Sequence, residues 1–255
     1  MQARMKIAVA GATGRVGRHA VDVLEEQGHE VIPVARSVGV DVITGEGLAA
    51  PLEGVEAVID ATTGPSPEPQ PATHFFATAT RNIQQLGARA GVGRIVVVSI
   101  IGVDRSAGGY GAAKRAHEQA MQEGPVPARI LRAAQFHEFV PQLMDWGRQN
   151  GTVYVPRMRT QLVAARVVAE ALADLATAPQ SATSPVPELA GPREENIAEM
   201  ARLFASRHAD APEIEEVSNP DDPQIRLYED GGLLAGPHAV LAGPTFEEWL
   251  GSETS

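Results

Sequence analysis

The segment Gly11-Ala12-Thr13-Gly14-Arg15-Val16-Gly17 constrains this chain more than any other feature. It follows a short apolar run, Lys6 to Ala10, and leads at once into a helical pattern, Arg15 to Gln27. That pattern sets Val16, Ala20, Val23 and Leu24 on one face and Gly28 where a C-terminal cap belongs. A strand that turns through Gly-x-x-Gly-x-x-Gly into a helix is a physical recipe for gripping a pyrophosphate. Gly11 permits the tight turn, Gly14 lets the backbone approach the phosphates, and Gly17 lets helix and strand pack closely. The helix N-terminus adds free amides and the positive end of its dipole. A merely structural turn is the alternative, but the strand before, the helix after and a second strand at the right distance favour the ligand.

The first two-thirds of the chain alternate short β-branched runs with longer helical patterns, the signature of a parallel sheet covered by helices. Six runs are expected as strands: Lys6 to Ala10, Glu30 to Val34, Asp41 to Thr44, Ala57 to Asp60, Arg94 to Ser99 and Ala128 to Arg132. Ile95-Val96-Val97-Val98 is apolar at successive positions, so both faces of the sheet are expected to be buried. A proline-rich loop, Gly64 to Ala72, precedes a helix expected from about Thr73 to Ala90. It reads either as a rim over a site at the carboxyl edge of the sheet or as a plain surface connection. Further on, helices are expected over Phe136 to Gln149, Val163 to Thr177 and Ile197 to Ser206, with short strands at Thr152 to Val155 and near Glu188 to Ala190. Ala178 to Pro187 reads as a loop, and Thr245-Phe-Glu-Glu248 as a capping box that opens a last helix. The expected architecture is α/β, a Rossmann-type doubly wound parallel sheet in one domain over 1–255, with residues from about 151–255 forming a smaller cap.

Cofactor choice turns on the end of the second run, where an acidic side chain would accept hydrogen bonds from the ribose of NAD. This chain has Arg36 and Ser37 there, and Arg15 inside the glycine turn. A guanidinium and a hydroxyl suit a 2′-phosphate, so NADP(H) is favoured and NAD(H) stays open; two solvated surface arginines are the alternative. For chemistry, Tyr110 and Lys114 lie four apart on one helical face, so the ammonium is expected to lower the phenol's pKa and to contact the nicotinamide ribose. Tyr110 would then protonate a carbonyl oxygen as hydride arrives, while Ser99 positions the substrate. An exposed aromatic, a solvated lysine and a strand-end hydroxyl form the alternative.

With these residues in place, the chain resembles an atypical short-chain dehydrogenase/reductase of the NmrA-like, NAD(P)-binding kind. The likeness rests on the glycine turn, Arg36, Ala61-Thr62-Thr63, Val98-Ser99-Ile100, Tyr110 with Lys114, and Leu131 to Phe136. It covers Lys6 to Thr177 well and the tail loosely. The resemblance implies that Gly11, Thr13, Gly14, Arg15, Gly17 and Arg36 hold the cofactor, with Ala12 and Val16 in the same turn. It places Ala61 and Thr62 along the ribose and Lys114 near the nicotinamide. The interval from Ser99 to Tyr110 is shorter than in the serine-tyrosine-lysine dehydrogenases, and the group includes both reductases and proteins that only bind the dinucleotide. Gln135, Phe136 and His137 are expected to face the nicotinamide, with Phe136 as a lid over substrate and His137 as a proton donor; a histidine that packs the following helix is the alternative. Arg157 and Arg159 read either as a site for an acidic group or as a solvated turn.

Composition closes off other classes. A formal net charge of -11 argues against a nucleic-acid or anionic-membrane partner. The absence of cysteine excludes disulfides, thiolate metal sites and a cysteine nucleophile, and the seven histidines show no metal-ligand spacing. There is no Gly-x-Ser-x-Gly elbow. No apolar run reads as a signal-peptide core or a membrane span, so a cytoplasmic protein is expected. The functional expectation is an NADP(H)-dependent oxidoreductase acting on a small carbonyl or enone. A non-catalytic NADP(H) sensor and an isomerase or epimerase are the alternatives, and an oligomer is compatible with the sequence.

Overall fold

The computed structural model describes residues 3–179, 186–207, 211–219 and 221–252. Two compact units emerge: the first comprises Met1–Ser99, Gly108–Arg132 and Val168–Pro187, the second Ile100–Ala107, Ala133–Val167 and Glu188–Ser255. The expected cap thus differs in extent from the second unit, which also takes in residues well before 151.

In the first unit, β1 (Lys6–Ala10) leads through the glycine turn to α1 (Gly17–Glu26) and β2 (Glu30–Val34), followed by β3 (Ala57–Asp60), α2 (Pro69–Ala90), β4 (Arg94–Ile100), α3 (Gly109–Glu123) and β5 (Ala128–Ala133). The strands run in the order β2-β1-β3-β4-β5, and β2, β1, β3 and β4 are parallel. Alternate residues Ala8, Ala10, Val58, Ile95 and Val97 pack with Ile83 of α2 and Met121 of α3. The intervening Ile7, Val9, Ile59 and Val96 are equally buried, and α1 lies against β1 and β2. Both faces are therefore covered, as a doubly wound sheet requires. The strand order reverses between β1 and β3, and the carboxyl ends at such a switch point are where an open α/β sheet binds ligands.

Five of the six expected strands form. The run Asp41 to Thr44 does not, despite its β-branched residues, because its polar groups are satisfied locally. Asp41 Oδ1 accepts from the backbone N–H of Ile43 at 2.7 Å, its carbonyl accepts from Gly45, and Asn82 donates to the carbonyls of Val42 and Ile43. An Asx turn has replaced a ladder. Within its unit β2 is thus an outer strand, where Pro33 can lack a donor. The helix expected from Thr73 starts earlier, with Pro69 at its first position, where a missing N–H costs nothing.

The second unit contains α4 (Phe139–Trp146), β6 (Arg148–Gln149), β7 (Thr152–Pro156) and β8 (Arg159–Thr160). After α5 (Ala165–Thr177), which begins there, follow β9 (Glu188–Ala190), β10 (Glu195–Asn196), α6 (Ile197–Ala205), β11 (Glu213–Val217), α7 (Pro223–Glu229), β12 (Val240–Leu241) and α8 (Phe246–Ser252). β7 pairs in parallel with β11, and β9 with β12. Its core gathers Val140, Met144, Leu162, Ile197, Phe246 and Leu250. The capping box forms as expected: Glu248 accepts from the Thr245 backbone at 2.8 Å, and Thr245 Oγ1 accepts in return from the Glu248 N–H. Part of the loop Ala178 to Pro187 lies outside the described residues. Among those described, no helix is long and apolar enough to cross a membrane.

Candidate active site

The glycine turn is built as tightly as its sequence suggests. Gly11 has φ +78°, donates its N–H to the Val34 carbonyl at 2.9 Å, and a Cβ there would lie 2.7 Å from the Ala61 carbonyl oxygen. At Gly17 a Cβ would come within 2.0 Å of the Gly11 carbonyl oxygen. Both positions thus exclude any side chain, one by conformation and contact, the other by contact alone. Val16 precedes α1 without a side-chain cap, and no acidic residue stands in the helix's first turn. The Arg18 N–H donates to the Gly14 carbonyl at 3.1 Å, and with no carboxylate in this turn the positive end of the helix dipole suits an anion.

Around this cradle, Ala12 and Val16 are buried, Thr13 is exposed, and Gly14 and Arg15 are half-buried. Arg36 and Ser37 lie exposed in the single 3-10 turn that follows β2. Ala61 and Thr62 continue β3 past its carboxyl end, where Ala61 donates to the Ala10 carbonyl at 3.0 Å.

The candidate chemical groups sit in the same unit. Ser99, near the end of β4, has a fully buried hydroxyl with no hydrogen-bond partner. Leaving such a group unsatisfied costs about 1–3 kcal/mol. Tyr110, in the first turn of α3, places its hydroxyl 3.3 Å from that of Thr63. Burial raises the phenol's pKa, so the expected lowering by Lys114 is not what this geometry produces. The Lys114 ammonium has other partners: it donates to the Val98 carbonyl at 2.8 Å, lies 3.1 Å from His117 Nδ1, and sits over the Phe76 ring.

That arrangement reveals a buried chain of groups that the sequence alone did not single out. His117 Nε2 lies 3.3 Å from Asp60 Oδ2, and Asp60 Oδ1 also accepts from the backbone and hydroxyl of Thr62. Phe76 stacks on the His117 imidazole with ring centroids 4.6 Å apart. Burial pushes the Asp60 carboxyl upward, but the hydrogen bond from His117 and those from Thr62 outweigh it, and the net direction is down. Burial holds His117 below its ordinary value, and the neighbouring ammonium adds to this. For Lys114, burial lowers the pKa to about 8 even though Asp60 and Glu118 oppose the shift. The consistent charge state is an anionic Asp60, a neutral His117 and a cationic Lys114. One sequence signal pointed here: Lys6 and Lys114 are the only lysines in a chain whose other cationic residues are arginines. A lysine kept where arginine is the rule suggests work that a guanidinium cannot do.

The residues expected to face substrate are placed in the second unit. His137 is fully buried, shares its Nε2–H with the Pro244 carbonyl at 3.0 Å and packs against Phe246 and Trp249. Burial lowers its pKa to about 4, so it is neutral at pH 7, and its one N–H is engaged by the Pro244 carbonyl. These contacts are those of the packing alternative. Gln135 accepts from the Thr160 hydroxyl, and half-buried Phe136 bridges to Val163. Arg157 and Arg159 pair with Glu216 and Glu194, each at 2.6 Å, which is the solvated-turn reading and leaves neither guanidinium unpaired.

The cradle, the uncapped helix and the orphan Ser99 hydroxyl fit a nicotinamide dinucleotide, and sequence comparison agrees. A family model described as NAD(P)H-binding matches residues 11–179, from the first glycine of the turn to beyond α5. The chain belongs to this NAD(P)H-binding family. No curated protein matches its sequence significantly. Solved structures share the fold of this NAD(P)H-binding protein. MoeE5 in complex with UDP-glucuronic acid and NAD is similar with a TM-score of 0.70 and 18% identity, over 92% of this chain and 90% of that one. The Bordetella bronchiseptica enzyme WbmG in complex with NAD is similar with a TM-score of 0.67 and 17% identity, over 98% and 94%. An NADPH-dependent quinone oxidoreductase from Escherichia coli gives 0.64 and 16%, over 98% and 100%.

Proposed function

We propose that the protein is an NADP(H)-dependent oxidoreductase of the atypical short-chain dehydrogenase/reductase type, acting on a small carbonyl or enone in the cytoplasm. The observation that carries this reading is the side-chain-free cradle at Gly11 and Gly17, set at the switch point beside an uncapped helix N-terminus. The solved relatives, which are NAD- and NADPH-linked enzymes by their descriptions, support catalysis over binding alone.

Gly11, Ala12, Thr13, Gly14, Arg15, Val16 and Gly17 would hold the pyrophosphate, and Ala61 and Thr62 would flank the ribose. Arg36 and Ser37, with Arg15 opposite, would meet a 2′-phosphate and so favour NADP(H). Bound there, the dinucleotide supplies a hydride. Tyr110, kept protonated by burial, holds the proton that a reduced carbonyl oxygen needs, and Ser99 offers an unpartnered hydroxyl to that same oxygen. Lys114 has given two of its three donors to Val98 and His117 and has the third for a ribose hydroxyl. The fit of Gln135 and Phe136 to the substrate end rests on the family resemblance.

Calorimetric titration of wild type and Arg36→Ala with NADPH and NADH tests the cofactor. NADPH should bind at least tenfold more tightly than NADH, roughly the value of one charge-assisted contact, and Arg36→Ala should erase the difference. Equal binding of the two cofactors by wild type would refute the preference. Tyr110→Phe should then slow carbonyl reduction by about a hundredfold with unchanged NADPH affinity. Tight NADPH binding with no turnover across a carbonyl screen would instead favour a sensor.

A further inference from the structure

His117 stands among charged groups without being charged itself. It lies three residues after Lys114 on α3, so both side chains leave the same face of the helix. Its two ring nitrogens meet opposite charges, Nδ1 the Lys114 ammonium at 3.1 Å and Nε2 the Asp60 carboxylate at 3.3 Å. Lysine can only donate and an ionised carboxylate can only accept, so this pairing fixes one tautomer, with the proton on Nε2. The stacked Phe76 ring fixes the imidazole plane. The other groups around the ammonium are the Val98 carbonyl from β4, Phe76 from α2 and Glu118 from its own helix; Glu118 is itself held by Arg132 of β5 at 2.8 Å, and Tyr110 stands one turn earlier on α3. Of the two carboxylates, then, one is taken by a guanidinium, and the other acts on the Lys114 charge across space and is joined to it by hydrogen bonds through the imidazole.

We infer that His117 is a positioning residue for Lys114: as a neutral bridge between Asp60 and the ammonium, it sets the place of the amine and ties its charge to a buried carboxylate. The inference rests on the proposed function only in taking Lys114 to face the dinucleotide. Loss of the bridge leaves a buried ammonium short of an acceptor, which favours its neutral form and weakens whatever it holds. NADPH affinity should therefore fall at alkaline pH as Lys114 loses its proton, and this limb should depend on residue 117.

Two variants separate bridging from packing. In His117→Gln the amide presents an acceptor and a donor at nearly the spacing of the two ring nitrogens, whereas the shorter His117→Asn reaches only one neighbour. NADPH binding is followed by calorimetry from pH 6 to 9.5, with thermal melting to verify folding. His117→Gln should keep wild-type affinity and the wild-type alkaline limb. His117→Asn should bind about tenfold more weakly at pH 7, the loss expected of one hydrogen bond to a charged group, with its limb moved to lower pH. Two folded variants with the wild-type profile, or equal losses with an unmoved limb, would overturn the bridge. A measurement on the wild-type protein stands apart from both variants and cofactor: histidine ¹⁵N shifts at pH 7 should report His117 as neutral with its proton on Nε2. A charged ring or the other tautomer would overturn the inference, whereas failure of wild type to bind NADPH would overturn the proposed function and leave the bridge standing.

Discussion

Two buried histidines show how the two units differ. His117, in the first, touches a carboxylate with one nitrogen and an ammonium with the other, and an aromatic ring covers its face. His137, in the second, donates to one backbone carbonyl, packs between Phe246 and Trp249, and leaves Nδ1 without a partner. Both are neutral, and burial lowers both pKa values. The residue type is the same; its neighbours decide its role. One imidazole links the end of β3 to the Lys114 ammonium on α3, and the other packs into a hydrophobic core against α8. A charged histidine would be opposed by desolvation and then by Lys114 in the first unit, and by desolvation alone in the second.

If the first unit is the ligand-binding half, damage to its turn should cost far more than damage elsewhere on the same helix. Gly17→Ala drives a methyl to 2.0 Å from the Gly11 carbonyl, so turn and helix must part. The cost should exceed about 4 kcal/mol and lower NADPH affinity on the order of a thousandfold in calorimetry. Gly28→Ala, at the other end of α1, has φ +84° but nothing within 4 Å of the added methyl. It should cost about 1–2 kcal/mol of stability in urea unfolding and leave NADPH affinity alone. Equal effects of the two on binding would erase the distinction between the ends of α1.

The second unit should instead betray its histidine through stability. His137 titrates near pH 6.5 in the unfolded chain and near 4 when folded. Between these values the unfolded state binds the extra proton, so stability is full above about pH 6.5 and is lost as pH falls toward 4. The expected loss is roughly 3 kcal/mol, and His137→Gln, which retains a donor for Pro244, should remove that dependence while NADPH affinity at pH 7 stays unchanged. Urea unfolding at pH 7 and pH 4.5 measures it. An acid profile that is the same in wild type and variant would deny His137 its packing role.

What sequence could disclose follows from how locally each feature is determined. The box at Thr245 and Glu248 is closed by its own residues, and the glycine turn is legible from its local Gly-x-x-Gly-x-x-Gly spacing even though Val34 and Ala61 complete it. The failed strand at Asp41 was local too, but its β-branched residues hid an Asx turn whose carbonyls are satisfied by distant Asn82. The bridge is not local at all. Asp60 from β3, Phe76 from α2 and His117 from α3 meet only because the doubly wound sheet brings them together, and no spacing along the chain encodes that. Conversely, His137 drew notice because it follows a strand end, yet its environment is made by α8, more than a hundred residues later. The Tyr110 and Lys114 spacing correctly put both on one helix, but said nothing of Val98 and His117, which take the ammonium's donors.

The smallest expected effect bears on the same ammonium. With Lys6 as the only other lysine, modification can be assigned by peptide mass spectrometry without ambiguity. An amine reacts only when unprotonated; burial brings Lys114 to about 8, against about 10.4 for an ordinary lysine. Brief reductive methylation at rising pH should therefore label Lys114 along a curve that turns over between pH 8 and 9, well before an ordinary lysine would level off. Burial slows the reaction throughout but does not move the turnover, since the slope reports the proton and the height reports access. NADPH should reduce the labelling of Lys114 several-fold while leaving Lys6 as it was. A Lys114 curve still climbing beyond pH 9.5 would mean that Asp60 and Glu118 hold the charge more firmly than burial removes it, and the two units would then differ in geometry without differing in the chemistry of their buried groups.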